Sequence, residues 1–500
     1  MSINLTTPEA QIRENRLSSI TGYKGSIKDL AAQANGCSLK SGERGFTQTT
    51  ACSLGCAQGQ LVLIKDAAVV GHSAIGCGSD TIQSNINNRR GQFSRELEYT
   101  NINYINTNMT EEATVFGGAA KLREGIREAY RRFNPKVIFV TTSCVSGIIG
   151  ENVSGILDGL AEEIPVPLVP VHCEGFRSKL WASGFDAAFH AILTYIVKPA
   201  EKKNPNLINI INFSGIGRKE VVRLLGRLGL VPQFLVQFTT VDQLSKISEA
   251  AATLSFCGTL GSYLASGLEE HFGVPYIKSL QPHGVAGINS WLRELGKVLG
   301  REEEVEKLIA EETAAIVPEL EELREKLKGK RVVIGMGPSF SQNYTRLLQE
   351  LALEVVWAAS WHFDQRHDYG EIPATILDLA KNEKDISACV SELQVHEINN
   401  LLRQLKPDLF VCRHPGMAIW SAKLGIPTIF INDEYQSFGY QGLINFGNRV
   451  ADTLANPTFV QYLASKIKLP YTNWWLEQDA FTFLGEAPPK KKERITKAVV

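Results

Sequence analysis

Short β-rich runs alternate with amphipathic helical stretches along most of this chain. Val137 to Thr141 (VIFVT) reads as a buried strand preceded by a helix over Lys121 to Phe133, and Val166 to Val171 (VPLVPV) as another, preceded by a helix around Ile156 to Glu163. Alternation of this kind predicts a parallel sheet covered by helices on both faces. The pattern restarts twice. After Asn206 come LINIIN, the glycines Gly215 and Gly217, a helix over Lys219 to Gly229, then FLVQF and ATLSF. After Arg331 come RVVIGMG, a helix over Gln342 to Leu351, then EVVWA, DLFVC and PTIFI. Three Rossmann-like parallel-sheet α/β domains are therefore expected.

The polar residues between these units set the boundaries. Residues 1–45 are polar and irregular and read either as an arm over the body or a partner subunit, or as a frayed tail. The first α/β domain is expected over 46–204 and the second over 205–300. Residues 301–330 carry apolar positions at helical spacing among charges and read as a long connecting helix, with a kink or break at Pro318. The third domain fills 331–500 and ends in a basic, solvated tail, PPKKKERITKAVV.

Composition narrows the class. Five hundred residues exceed what one hydrophobic core accommodates. A net charge of -1 gives no electrostatic pull toward nucleic acid or membrane. The N-terminal MSINLTTPEAQIRENR lacks the basic-then-apolar order of a secretory signal, and no apolar run reaches the roughly 18 residues of a membrane span. A cytoplasmic location is expected. Nine cysteines in a reducing compartment are thiols or metal ligands rather than disulfides.

In open parallel sheets ligands collect beyond the carboxyl ends of the strands, which is where Cys144, Cys173, Cys257, Arg413, His414 and Asn432 fall. Cys52, Cys77 and Cys144 each adjoin glycine or another small residue, so backbone can approach a bulky iron–sulfur cluster. Three ligands are incomplete, and a partner chain supplying the rest would put that cluster at a subunit interface. Buried free cysteines are the alternative. Cys56 is either a further ligand or a small apolar side chain on one helix face, and Cys37, Cys389 and Cys412 read as structural. Cys257 opens Gly258-Thr259-Leu260-Gly261-Ser262, a turn into a helix, and could anchor one iron of a second cluster.

Trp361 to Asp368 (WHFDQRHD) places His362 and His367 among two carboxylates, either to move protons or ligate a metal, or as an ordinary polar surface loop. His190 reads as a satisfied helix-face histidine. Gly335-Met336-Gly337 lacks the third glycine of a dinucleotide loop, and with no Walker A motif any ATP requirement lies on another protein.

Taken together, Ala51-Cys52, Gly76-Cys77-Gly78, Asn108 to Gly118 (NMTEEATVFGG), Thr142-Ser143-Cys144 with Ile149-Gly150-Glu151-Asn152, and Cys173 to Arg177 (CEGFR) resemble the nitrogenase component 1 family over nearly the full chain. The pattern resembles the α-type (D/E) subunit, because Cys257 falls where that subunit anchors its cofactor. The resemblance implies three α/β domains around a central metallocluster site. It implies Cys52, Cys77 and Cys144 as metal ligands to an interfacial P-cluster-type iron–sulfur cluster (8Fe-7S, or 4Fe-4S). It also implies a heterotetramer with a β-type (K/N-like) partner and an ATP-hydrolysing iron protein as electron donor.

The chain departs from true nitrogenase at several positions. Asn432 stands where the distal cofactor histidine is expected, Arg413-His414-Pro415-Gly416 near the homocitrate lysine, Pro338-Ser339-Phe340 where an arginine is expected, and Trp181 and Phe185 where a glutamine and a histidine line the substrate site. These departures point away from molybdenum, homocitrate and dinitrogen. They point toward a carbide-containing iron–sulfur cofactor (8Fe-9S-C type) on Cys257, with Asn432 at its far end and His362, His367 or His414 supplying a second ligand or protons. The nitrogenase-like methylthio-alkane reductases, which cleave C–S bonds of small thioethers, match this description. Three other readings stand: a scaffold for cofactor assembly, a tetrapyrrole-reducing relative that needs no thiolate at Cys257, and a cluster-free α/β binding protein.

Overall fold

The polar arm is part of the third sheet. In the computed structural model, which describes residues 3–47, 52–79, 81–211, 217–392, 394–431 and 437–485, Gly22–Ser26 forms an edge strand (β1). The first sheet follows: Ala67–His72 (β2), Tyr104–Asn106 (β3), Val137–Thr142 (β4) and Leu168–Val171 (β5) lie in the order β3-β2-β4-β5, all parallel. Every residue of β2 and β4 is buried, as a sheet covered on both faces requires. Asn204–Ile211 (β6), Val231–Leu235 (β7) and Ala250–Ser255 (β8) form the second parallel sheet, in the order β7-β6-β8.

The third sheet contains Arg331–Met336 (β9), Glu354–Ser360 (β10), Ser387–Ser391 (β11), Leu409–Cys412 (β12) and Thr428–Phe430 (β13). Its order is β1-β11-β10-β9-β12-β13, parallel except for β1, which runs antiparallel to β11 from Gly22↔Ser391 to Ser26↔Ser387. No helix among the described residues is long and apolar enough to cross a membrane.

Several elements differ from the sequence expectation. The helix around 156–163 is shorter and earlier, Val153–Asp158, and gives way to turns. The FLVQF strand starts and ends earlier, at Val231–Leu235, where it pairs with Leu207–Ile211, and Phe238 at φ 64 lies outside the extended region. The connecting helix, Glu302–Leu327, runs through Pro318 without a break. A proline inside a helix costs about 3 kcal/mol. Here Val305, Leu308, Ile309, Ile316, Leu320, Leu323 and Leu327 are all buried, and the helix packs against the helix Gly439–Ala455. Burial stabilises by roughly 1.5–3 kcal/mol per large aliphatic side chain, so packing outweighs the lost hydrogen bond.

The arm also supplies two buried cations. Arg13, fully buried, donates to both oxygens of Asp186 at 2.8 and 2.7 Å, to Asp364 at 3.2 Å and to the Thr259 carbonyl at 2.5 Å. Arg16 pairs with Asp186 at 2.5 Å and with Asp368. Ser19 and Ser262 donate to Asp364 at 2.6 Å and Asp368 at 2.5 Å. Asp186 is on the helix Ser183–Tyr195, Ser262 on the helix Gly258–Phe272 after β8, and Asp364 and Asp368 on the loop after β10. The network therefore ties the arm to elements from all three sheets. WHFDQRHD is not a surface loop: Trp361 to Gln365 and Asp368 are buried, with both carboxylates committed to arginine.

Burial alone would raise the Asp364 carboxyl, but His362, Arg13 and Ser19 together hold it below the usual carboxylate range. A lowered folded-state pKa means that its contribution to stability is complete above the unfolded value of about 4 and is lost as pH falls through the folded value. Asp364→Asn is therefore expected to flatten the acid limb of a stability-versus-pH curve. Asp186→Ala leaves two buried guanidinium groups without their main partner and should cost about 3–5 kcal/mol in a urea-unfolding measurement.

Candidate metallocluster site

Cys257 occupies the N-cap position of the helix Gly258–Phe272, in extended conformation at φ -136, ψ 110, and is buried. Its carbonyl accepts from Leu260 N at 3.2 Å, Gly261 N at 2.9 Å and the Ser255 hydroxyl at 2.8 Å, so the turn that presents the thiol is fixed by its own backbone. Ser339, after β9, clamps the helix start: its hydroxyl accepts from Gly258 N and its N–H donates to Thr259 Oγ1, both at 3.2 Å. Gly258 leaves room for His367, since a Cβ there would lie 2.9 Å from His367 Cε1. Burial, and secondarily Arg13, push the His367 imidazole down to about 4 against the pull of Asp364, so this ring is neutral at pH 7. Burial would lower the Arg13 guanidinium too, but Asp186, Asp364 and Cys257 hold it above its ordinary value.

Beside this network Trp181 stands edge-on to Phe185 (centroids 5.6 Å apart) and to His362 (5.8 Å). His362 is fully buried, with Nε2 3.6 Å from Asp364 Oδ2 and Nδ1 4.0 Å from Glu392 Oε2, both beyond hydrogen-bond distance. Neither ring nitrogen, nor Trp181 Nε1, nor Gln281 Oε1 has a hydrogen-bond partner among the described residues. Buried polar atoms are normally paired; Gln281 lies beside Gly258, where a Cβ would be 3.8 Å from its Nε2, and these unpaired atoms fit a site that a bound cofactor completes. Burial raises the Glu392 carboxyl well above its ordinary value, only partly offset by Arg44. His414 stands against Trp361 at 6.5 Å, is lowered by burial, and has Nδ1 without a partner among the described residues. The neighbouring Arg413 lies 4.2 Å over the Phe340 ring. Asn432 falls outside the described residues.

The other thiols lie beyond the carboxyl ends of the first sheet's central strands and at a helix start beside them. Cys52 is the N-cap residue of the helix Ser53–Leu61, Cys77 lies in the turn Ile75–Gly78 after β2, and Cys144 starts the short helix Cys144–Ile148 after β4. Cys52 and Cys77 are exposed and Cys144 is half-buried. Cys52 and Cys144 meet across Gly175, where a Cβ would lie 3.1 Å from Cys52 Cβ and 3.5 Å from Cys144 Sγ. Among the described residues no three His, Cys, Asp or Glu side chains are grouped to hold a single metal ion. Around these thiols Ile75, Val115, Phe116, Ile148 and Phe176 are exposed, an apolar surface of the kind that marks an interaction site.

The remaining cysteines have other surroundings. Cys56 is half-buried one turn beyond Cys52. Cys173 is buried, donates to the Thr142 carbonyl at 3.4 Å, and is pushed well up by burial. Cys37 and Cys389 accept from Arg366 Nε at 2.7 Å and Trp357 Nε1 at 3.2 Å. His190 is satisfied by Tyr263 and the Thr7 carbonyl, both at 2.9 Å.

Sequence reasoning passed over Arg13, Arg16, Asp186 and Glu392, and also His72. This buried histidine pairs with Glu151 at 2.7 Å and Thr107 at 3.0 Å behind the Cys77 and Cys144 turns. Only the position of His72 at the end of an apolar run offered a signal.

The fold is that of an α/β subunit built on three mostly parallel sheets, with thiols gathered beyond strand ends of the first and second. The chain belongs to the nitrogenase component 1 type oxidoreductases, whose family pattern matches residues 52–455, and it is of the α type. Over 465 residues it is 29% identical to the nitrogenase iron-molybdenum cofactor biosynthesis protein NifE of Nostoc sp. (strain PCC 7120 / SAG 25.82 / UTEX 2576), covering 88% of this chain and 92% of that one. It is 27% identical over 454 residues to the nitrogenase molybdenum-iron protein alpha chain of Methanosarcina barkeri, covering 79% and 84%. The solved structure of nitrogenase Cp1 at pH 5 shares the fold, with a TM-score of 0.70 at 23% identity over 87% of this chain and 94% of that one. The family binds iron–sulfur clusters.

Gly175→Val places a branched side chain between Cys52 and Cys144. It is expected to lower the iron content of anaerobically purified protein while the far-UV circular dichroism stays unchanged. Full iron content in that variant would separate these two thiols from cluster binding.

Proposed function

We propose that this chain is the α-type subunit of a nitrogenase-like iron–sulfur reductase that cleaves the C–S bond of small methylthio-alkanes. The observation that carries this reading is the apolar wall of Trp181 and Phe185, perpendicular at 5.6 Å, beside the buried His362. An aromatic wall suits a substrate without charge, and thioether sulfur is a soft ligand for iron. The reaction takes two electrons and two protons: the C–S bond breaks, sulfur leaves as methanethiol and the carbon leaves as a hydrocarbon.

Cys257 would hold the carbide-type cofactor, which supplies stored electrons and a soft iron surface when bound. Cys52, Cys77 and Cys144 would hold the P-cluster-type centre, with the exposed apolar residues around them covered by the β-type partner. Electrons would come from the ATP-hydrolysing iron protein. Within the chain, Trp181 and Phe185 exclude water from the substrate side. Glu392, its carboxyl raised by burial, and His362, whose Nδ1 lies 4.0 Å from it, would supply the route for protons to that wall. His367, neutral beside Gly258, is placed to accept a proton or to act as a second ligand.

The similarity to NifE supports a second reading, in which the same residues hold a cofactor precursor for transfer. Turnover separates the two. The anaerobic complex with its iron protein, ATP, reductant and dimethyl sulfide or ethyl methyl sulfide should release methane or ethane. Intact clusters without product identify a scaffold, and iron and sulfide near zero identify a cluster-free binding protein. Cys257→Ala should abolish product and remove one set of EPR signals while sparing the other; unchanged activity would contradict the assignment of Cys257.

A further inference from the structure

The helix that begins beside Cys257 is capped from another domain. The first N–H groups of a helix have no partner within it, and the side chain at the N-cap position ordinarily accepts from one of them. The Cys257 side chain makes no such bond to the helix Gly258–Phe272. Ser339, 81 residues from Gly258, does it instead: its hydroxyl accepts from Gly258 N at 3.2 Å, and its own N–H donates to Thr259 Oγ1 at the same distance.

Ser339 is itself held in place. It lies in the first turn of the helix Pro338–Glu350, directly after β9, and its carbonyl accepts from Asn343 Nδ2 at 2.6 Å. Asn343 Oδ1 in turn accepts from the Thr375 hydroxyl at 3.1 Å, and both of these side chains are buried. The Gly258 backbone is also hemmed in, since a Cβ there would lie 2.9 Å from His367 Cε1 and 3.8 Å from Gln281 Nε2.

An N–H left over at a helix start donates to the nearest negative group, and beside a thiolate that group is sulfur. Its partial positive charge then favours the more negative, reduced state, so hydrogen bonds to sulfur raise the potential of the metal group that the sulfur holds. Ser339 gives the Gly258 N–H an oxygen instead. On the reading of Cys257 as the cofactor thiolate, on which this rests, we propose that Ser339 is the positioning residue of the site. It fixes the backbone that presents Cys257 and withholds the Gly258 N–H from sulfur, which keeps the group held there strongly reducing.

EPR-monitored redox titration of the anaerobically purified complex tests this on the parent, Cys257→Ala, Ser339→Ala and Ser339→Thr. Cys257→Ala identifies the signals of the group at that thiol by their loss. Ser339→Ala removes one oxygen from a half-buried side chain, so its far-UV circular dichroism should match the parent. The midpoint of the identified signals should move to more positive potential by about tenfold in the one-electron equilibrium, about 59 mV, while the signals that survive in Cys257→Ala stay where they are. Ser339→Thr, which keeps the hydroxyl, should titrate as the parent does. An unmoved midpoint in Ser339→Ala, an equal shift in Ser339→Thr, or a shift shared by both sets of signals would each overturn the proposal and leave the reading of Cys257 intact. Survival of every signal in Cys257→Ala would overturn that reading, and the proposal with it.

Discussion

The pairing of Arg13 with Asp186, buried and bidentate, is the constraint on which the rest of the structure depends. It joins the N-terminal arm, whose Ile20, Ile27, Leu30 and Leu39 are also buried in the core, to the helix behind the first sheet. Through Asp364, the Thr259 carbonyl and Arg16 it also reaches the second and third sheets. A buried ion pair is a poor source of net stability, because desolvation offsets most of its attraction. Its value here is positional: charges that tolerate no other partner admit only one mutual arrangement of the three sheets, and Cys257 lies at their meeting point.

The two groups of thiols differ in what surrounds them. Cys257 is enclosed, at a helix N-cap whose carbonyl accepts three hydrogen bonds. Cys52, Cys77 and Cys144 face outward among Ile75, Phe116, Ile148 and Phe176. An enclosed thiol suits a group that must be kept from water. An outward-facing set suits a group shared across an interface, where electrons cross between chains. Under the proposed function, the outward-facing group would take up electrons and the enclosed one would use them.

The histidines show how burial sets chemistry. Burial lowers the His367 imidazole and raises the Glu392 carboxyl, the same loss of solvent acting on opposite charge types. The two carboxylates of the 361–368 segment, which look catalytic in a string of letters, are instead committed to arginines. A carboxyl that burial does raise, Glu392, lies beside His362 from thirty residues further on.

By itself, the sequence determined the repeated α/β grammar, the thiols at strand ends, and the family. Each rests on local pattern: runs of β-branched residues, small residues beside cysteine, and motif order. Glycine beside cysteine reads as room for a bulky group; that Gly175 lies between Cys52 and Cys144 only the fold shows. Tertiary structure alone decided that the arm becomes β1, that the helix Glu302–Leu327 survives Pro318, and that Arg13, Arg16, Asp186 and Glu392 belong to the site. Those outcomes turn on burial and on partners up to 351 residues apart, and a buried charge leaves no periodic trace along the chain. Its meaning lies in the residue opposite, which only folding brings into place.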